Sequence, residues 1–434
     1  PRTSYRRLAD YEAEMRALAE RYPGHVRLLA GAHKTLEGRT VLGLEIAADV
    51  HRRDGRPTSY FDGLHHAREW PAAESVMNFA IELAEGYGDR ARVTKLLETT
   101  RVILIPVVNV DGFHHSREAV VDMWATGFVG AQAYWRKNRR GIAHVPEQNL
   151  SIGSYGVDPN RNYGFLWGYG GIIPLSSTSS VPASQTYQGE TPFSEAEARN
   201  VRDVFLRRNV VTMLTTHTVA GLVLWPWGHT YEPTPDDTLF QALGKNLAVV
   251  SGYRGQPGIA LYPTTGTTDD WAYALAGTIG FTLEIGGNDF HPPYRSMIAQ
   301  YRTDREIYYR LAEAARVEAY HSVVSGVVTD ATGAPVQASV SLRKVVDLPL
   351  SRRTEDGVPR SNGPTLRHEI ELEIDGDPDG RFEWHVNPSA GPLERGIGSY
   401  ELVVSAPGYQ ALTRSVSMAR GETLDLGRMI LFPS

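Results

Sequence analysis

The sequence predicts two folded units: an α/β unit whose mixed, mostly parallel sheet is sandwiched by helices, then a small all-β sandwich. Three observations carry that expectation. The apolar runs Val102 to Val108, Val210 to Leu214, Leu222 to Leu224 and Thr278 to Ile285 are nearly continuous, as strands buried on both faces should be. Helical segments fall between them, and such alternation builds a mixed or parallel sheet covered on both sides. After Tyr320 the texture changes to short strands separated by turn signals, the pattern of a sandwich. The units are expected at 1–321 and 322–434.

Along the chain, Tyr5 to Arg21 reads as a helix because Leu8, Tyr11, Met15 and Leu18 recur at helical spacing. Val26 to Leu29 and Val41 to Ile46 alternate as strands around the turn-rich Leu36 to Arg39. The β-prone stretch Ser59 to Leu64 leads to an amphipathic run, Ala72 to Ala84, with Pro71 suited to the first turn of that helix. Residues 114–192 are rich in Gly, Ser, Asn and Tyr and poor in regular pattern; long loops of this kind carry sites. Ser194-Glu195-Ala196-Glu197 fits a capping box, and a helix from about Tyr294 to Tyr320 closes the first unit. In the second, Val323 to Val336 reads as strand, turn, strand. Gly380 to Trp384, Tyr400 to Ser405 and Leu424 to Leu431 are further strands, and the polar Lys344 to Pro364 is expected as an exposed loop.

Composition narrows the chemistry. The chain has 434 residues, 41% apolar and 22% charged, enough for a sizeable core. A net charge of −6 without a basic patch argues against nucleic acid as a partner. The absence of cysteine excludes disulfides, thiolate zinc sites and thiol catalysis, leaving His, Asp and Glu as metal ligands. No apolar run approaches the roughly 18–20 residues of a membrane span. Opening on Pro1 rather than Met is expected of a mature form, so a removed targeting segment is compatible with this sequence.

His66-Ala67-Arg68-Glu69 lies at a strand-to-helix junction, where an imidazole and a carboxylate three residues apart can face one metal ion. Alone it is a weak signal, because a chain with 14 histidines yields about one such pair by chance. His217 and Glu284, however, sit near the ends of apolar strands, where α/β sheets gather reactive groups. Tyr134 to Arg139 and Val157 to Asn162 bring arginines and amides into the loops.

Taken in order, these motifs resemble the zinc metallocarboxypeptidases of the carboxypeptidase A/B (funnelin) type over about Tyr5 to Tyr320. They are His-Ala-Arg-Glu-Trp at 66–70, Asn-x-Asp-Gly-Phe at 109–113, Trp-Arg-Lys at 135–137, Val-Asp-x-Asn-Arg-Asn at 157–162, His217, Tyr262 before Trp271, and Phe-Thr-Leu-Glu at 281–284. Val110 departs from the family's usual Pro and touches no catalytic group. The resemblance implies one Zn²⁺ per chain held by His66, Glu69 and His217, with a position left open for water. It also implies Asp158 as the carboxylate orienting His66, Glu284 as general base, and Arg136 as stabiliser of the oxyanion. Asn160 and Arg161 would grip the terminal carboxylate of a peptide, Tyr262 would close over it, and Arg68 would contact the next residue inward. The expected activity is release of single C-terminal residues from peptides or proteins by a monomeric, secreted bacterial enzyme.

Other readings stand beside these. Glu284 is also readable as a paired strand carboxylate, Tyr262 as packing, His65 as a packed or exposed neighbour, and Arg139 and Arg140 as solvated charges. Asp269 aligns with the pocket floor that is acidic where basic terminal residues are accepted, yet either Asp269 or Asp270 is suited to a structural or capping role. Gly228 stands where carboxypeptidases of the N/E type carry their acidic specificity residue, and Thr264, Thr267 and Thr282 read as pocket lining. A terminal Lys or Arg is favoured, with apolar or dual acceptance as the alternative. Asp375 to Gly380 reads as a hairpin turn rather than a calcium loop, since no Glu follows at the required offset. The C-terminal unit resembles the transthyretin-like sandwich of N/E-type enzymes through Gly326 to Val336 and Gly398 to Tyr409. An amidohydrolase of cell-wall or precursor peptides, or a binding protein that has lost the chemistry, are the competing functions.

Overall fold

The computed structural model describes residues 2–118, 131–141, 155–168, 177–350, 364–393 and 398–434. An eight-stranded sheet holds β1 (Val26–Ala30), β2 (Leu42–Ile46), β3 (Thr58–Gly63), β4 (Arg101–Ile105), β5 (Val210–Thr218), β6 (Leu222–Trp225), β7 (Arg254–Pro257) and β8 (Ile279–Ile285). Their order is β1-β2-β4-β3-β5-β8-β6-β7. The central β4, β3, β5 and β8 are mutually parallel, while β1, β2 and β6 join antiparallel to their inner neighbours. The mixed, mostly parallel sheet expected from the apolar runs is therefore present.

Eight α-helices are described: α1 (Leu8–Arg21), α2 (Trp70–Gly86), α3 (Ala91–Thr99), α4 (Val110–Glu118), α5 (Ala196–Arg207), α6 (Asp237–Val249), α7 (Thr268–Ala276) and α8 (Tyr294–Ala314). Successive side chains of a strand point to opposite faces. In β3, Phe61 meets Phe79 of α2 and Tyr308 of α8, whereas the adjacent Tyr60 meets Phe205 of α5. Helices thus cover both faces, and every residue of β3 and β5 is buried.

Local details depart from expectation for physical reasons. Helix α1 buries the four predicted residues but starts at Leu8, three residues later than expected. Helix α2 is buried nearly all round rather than on one face, because its Glu74 is neutralised inside by Arg6. The capping box at Ser194 is not made. Asn162 Oδ1 accepts the Glu195 N–H at 3.0 Å, and Ser194 Oγ donates to Glu195 instead. Helix α8 stops at Ala314, and only a 3₁₀ turn follows at Glu318–Tyr320.

Beyond residue 321 the chain forms a four-stranded and a three-stranded sheet. The strands are β9 (Ser322–Asp330), β10 (Ser339–Pro349), β11 (Thr365–Asp375), β12 (Arg381–Val386), β13 (Tyr400–Ser405), β14 (Leu412–Val416) and β15 (Thr423–Leu431). Pairing is antiparallel except between β9 and β15. The expected loop from Lys344 is corrected at its start: β10 runs on to Pro349 and pairs with β11 from Ser339↔Asp375 to Pro349↔Thr365. Residues 351–363 lie outside the described residues. Asp377 to Gly380 form a turn, with Gly380 at φ +80° and its N–H bonded to Asp377 O at 2.9 Å. The unit is seated on the large sheet's layer, with His368 against Trp271 and Phe193, and Asn387 bonded to Val210 O and Asn209.

Candidate active site

The carboxyl ends of β3, β5 and β8 meet at one edge of the sheet, and the turn after β3 is held unusually tightly. Leu64, fully buried, takes a left-handed φ of +60°, a conformation that costs a non-glycine residue energy and persists only under strong constraint. That constraint comes from Asn109. Its N–H reaches Leu64 O at 3.1 Å, its Nδ2 reaches His65 O at 3.0 Å, and its Oδ1 accepts the Gly112 N–H. Gly112 is needed because a Cβ there would lie 2.5 Å from Lys137 O. Further on, the Ala67 N–H binds Arg136 O, and Ala67 O accepts Ser116 Oγ, which in turn accepts Trp70 Nε1. The Asn-x-Asp-Gly and Trp-Arg-Lys stretches therefore fix the loop that presents His66 and Glu69. Those positioning roles were not assigned from sequence, although the motifs themselves signalled them.

His66, Glu69 and His217 come together, all at 4% exposure or less. His66 Nδ1 lies 2.7 Å from Glu69 Oε1, His217 Nδ1 lies 2.9 Å from Glu69 Oε2, and the two ring nitrogens are 3.1 Å apart. Among the described residues this is the one group of three or more His, Cys, Asp or Glu whose ligand atoms could share an ion. Two imidazole nitrogens and a carboxylate aimed at one point make a donor set suited to zinc. Burial alone would raise the pKa of Glu69. The adjacent His66 and His217 outweigh it and hold the carboxyl well below the usual range, so it is ionised.

The surrounding groups brace this cluster. Asp158 Oδ1 lies 3.3 Å from His66 Nε2 and accepts the Asn160 N–H; its Oδ2 accepts Arg136 Nε at 3.1 Å and Nη2 at 2.9 Å. Burial works against the Asp158 charge, but Arg136, His66 and Arg161 overcome it and keep its pKa low. Asn160 Oδ1 accepts Thr268 N and Oγ1 at the start of α7, while its Nδ2 faces His217 Nε2 at 3.5 Å. Arg161, 2% exposed, is aimed by bonds to Asn160 O and Ser177 Oγ.

Glu284 stands opposite His217 in the β5–β8 ladder. Burial, then the charge of Glu69, pushes its pKa up to about 8. A dication among the triad would neutralise Glu69 and draw that value down. His66, Asn160, Arg161, His217, Tyr262, Asp269 and Glu284 line a single cleft. Tyr262 is 39% exposed at its rim rather than packed in the core. Asp269 accepts Thr282 Oγ1 at 2.9 Å, whereas Asp270 turns away to Gly228 N at 3.0 Å and His229 Nδ1 at 3.3 Å. Of that acidic pair, Asp269 faces the cleft and Asp270 braces a loop. Arg68 is not among the cleft-lining residues and lies over the Phe290 ring at 4.3 Å. His65 packs beneath, bonded to Tyr163 OH at 2.8 Å, and burial disfavours its charged form. Arg139 is not a solvated charge: it pairs with Glu37 and lies over Trp135.

The zinc carboxypeptidase family model matches residues 11–306, about two thirds of the chain. A carboxypeptidase B from Helicoverpa zea is 28% identical over 312 residues, covering 68% of this chain and 66% of the relative. Human carboxypeptidase A1 is 32% identical over 259 residues, covering 58% and 55%. A carboxypeptidase B from Astacus astacus is 30% identical over 296 residues, covering 65% and 86%. The chain thus spans less than two thirds of the length of the first two. The solved structure of thrombin-activatable fibrinolysis inhibitor aligns with a TM-score of 0.61 at 24% identity, covering 72% of this chain and 75% of that one. Carboxypeptidase A from Helicoverpa armigera aligns with the same score at 23% identity, covering 72% and 74%, so both share this fold. All the cleft residues described above fall inside the matched stretch, and the chain belongs to the zinc carboxypeptidase family.

Proposed function

We propose that the chain is a zinc-dependent exopeptidase that hydrolyses the last bond of peptides and proteins with a free terminal carboxylate, favouring terminal Lys or Arg. The observation that carries this reading is a single cleft lined by the triad's two imidazoles, Glu284, Arg161 and Asp269. A hydrolase of this kind needs a metal, a base, an anion anchor and a selective pocket within one substrate's reach.

His66, Glu69 and His217 would hold one Zn²⁺, which when bound supplies Lewis acidity to the scissile carbonyl and makes a water acidic enough to attack near neutral pH. Asp158 keeps the His66 ring in place through its far nitrogen. Glu284 takes the water's proton and delivers it to the leaving amine. Arg136, held by Asp158, donates to the oxyanion that develops on the carbonyl. Arg161 and Asn160 bind the terminal carboxylate, a task suited to a planar guanidinium, and Tyr262 swings in from the rim to cover it. Arg68 would contact the residue before the cleaved bond only by turning from the Phe290 ring toward the cleft. The carboxylate clamp restricts the reaction to chain ends, because no internal peptide bond offers the anion that Arg161 requires. Asp269, which faces the cleft, would pair with the cation of a terminal Lys or Arg. We assign 1–321 as the catalytic unit and 322–434 as a transthyretin-like unit that supports it.

The test is a peptide panel ending in Lys, Arg, Phe and Leu, as free acids and as C-terminal amides, with and without chelator. Release from the acids, abolished by chelator and absent from the amides, is expected. Turnover of the amides at the same rate would contradict the exopeptidase reading. Asp269→Ala should cut kcat/KM for Lys and Arg tenfold or more relative to Phe, about the loss of one charge-assisted contact. Equal losses on all four would overturn the basic preference alone.

A further inference from the structure

The opposite edge of the sheet holds a second polar depression. At the amino ends of the parallel strands, Arg27, Glu45, Arg101 and Arg208 line a cleft that also reaches Leu372 and Trp384 of the C-terminal unit. Glu45, 1% exposed, is the shared counter-ion: Arg27 Nη2 binds its Oε2, Arg101 Nη1 binds its Oε1 at 2.6 Å, and Arg208 Nη2 stops 3.8 Å away. Asp54 is bound by Arg56 and lies 3.7 Å from Arg101. Four guanidiniums therefore face two carboxylates, leaving two positive charges without a counter-charge. The outer charges leave that surplus in place, since Arg52, Arg53, Arg207 and Arg343 pair with four acids of the C-terminal unit, Asp377, Glu373, Asp375 and Glu371.

Arg208 is the least satisfied member. Its remaining bond is 3.4 Å to Arg207 O, and its side chain is 39% exposed to the cleft mouth. Burial lowers its pKa, Glu45 opposes that, and the neighbouring Arg27, Arg101 and Arg53 lower it further. Arg27 Nε is buried with no bonding partner. The surplus cannot reflect general basicity, because the whole chain carries −6. Uncompensated guanidiniums in a recess raise the local concentration of anions, and their planar forks match the oxygens of phosphate and sulfate.

We propose that this cleft binds a tetrahedral oxyanion, the phosphate or sulfate group of a free ion or of a sulfated glycan, between Arg208 and Arg27. The site lies on the sheet edge opposite the triad, so its occupancy is independent of peptide hydrolysis. Because the cleft spans the large sheet and the C-terminal unit, the bound anion also fastens the seam between them.

The experiment titrates the zinc-loaded full chain with sodium phosphate, sodium sulfate and a heparin oligosaccharide at fixed ionic strength by calorimetry, with peptide hydrolysis followed in parallel. Saturable one-site binding is expected, weakened roughly tenfold or more by R208Q, the loss of one charge-assisted contact, with hydrolysis unchanged. R27Q gives an independent second variant, and R208K should retain part of the affinity. Comparable affinity for both inorganic ions supports a free-ion site; far tighter oligosaccharide binding supports a glycan. Absence of saturation with all three probes, or affinities in R208Q and R27Q equal to wild type, would overturn the proposal.

Discussion

The strands at the heart of the large sheet and those of the C-terminal unit use burial in opposite ways. β3 and β5 are buried at every position, so polar groups at their ends sit in a dry environment. β10 and β11 alternate buried with exposed residues, and Arg343, Arg367, Glu369 and Glu371 stand in water. Desolvation is what separates the two regions. Where both faces are covered, carboxyl groups are pushed away from their ordinary values unless a cation or metal restores them. Where one face is wet, charge is inexpensive and inert. Reactive groups therefore belong to the first region and surface solubility to the second.

The sharpest way to break this contrast is to remove the proposed base, Glu284. Glu284→Gln keeps the shape of the cleft and leaves His66, Glu69 and His217 in place but cannot accept a proton. We expect kcat to fall by about 10³-fold, within the usual range for general bases, with zinc content unchanged. Wild-type turnover would remove Glu284 from the mechanism. Next in size is deletion of 322–434, which uncovers Trp271 and Phe193 where His368 covers them and leaves Asn209 and Val210 O without Asn387. Exposing such surface costs about 25 cal/mol per Å². The truncated chain should aggregate or melt well below the full chain, and an unchanged melting temperature would show that the second unit is dispensable cover.

A third test concerns pH. Burial, then the nearby Glu195, pushes the pKa of Glu197 up to about 8. The folded state holds that proton between the unfolded value near 4.5 and 8, so this carboxyl's contribution is fully present below 4.5 and is lost as pH rises through 8. Glu197→Gln should remove a component of that decline of the order of a few kcal/mol, read from urea unfolding at pH 5 and pH 9. Parallel pH profiles for variant and wild type would mean that Glu197 is ionised in the folded state.

Sequence legibility followed the same division. The α/β unit announced itself through apolar runs, and its site through His-x-x-Glu with distant partners, because metal and clamp demand particular residue types. What the sequence hid was pattern broken by paired charge. Lys344 occupies an inward position of β10, where it donates to Ser389 O and approaches the Tyr400 ring at 6.0 Å, so the second half of that strand, from Lys344 to Pro349, read as polar loop. Glu74 inside α2 and Asn162 at the start of α5 misled for the same reason, since their partners, Arg6 and the Glu195 N–H, are distant in sequence or lie in the backbone. The division between Asp269 and Asp270 likewise depended on neighbours, Thr282 and Gly228, that spacing does not reveal.

The most direct test is crystallographic: anomalous diffraction recorded above and below the zinc edge on the zinc-loaded chain. The account predicts one strong peak per chain at about 2.0–2.2 Å from His66 Nδ1, His217 Nδ1 and the Glu69 carboxylate. No peak there, or a peak bound by other side chains while His217 points elsewhere, would contradict it.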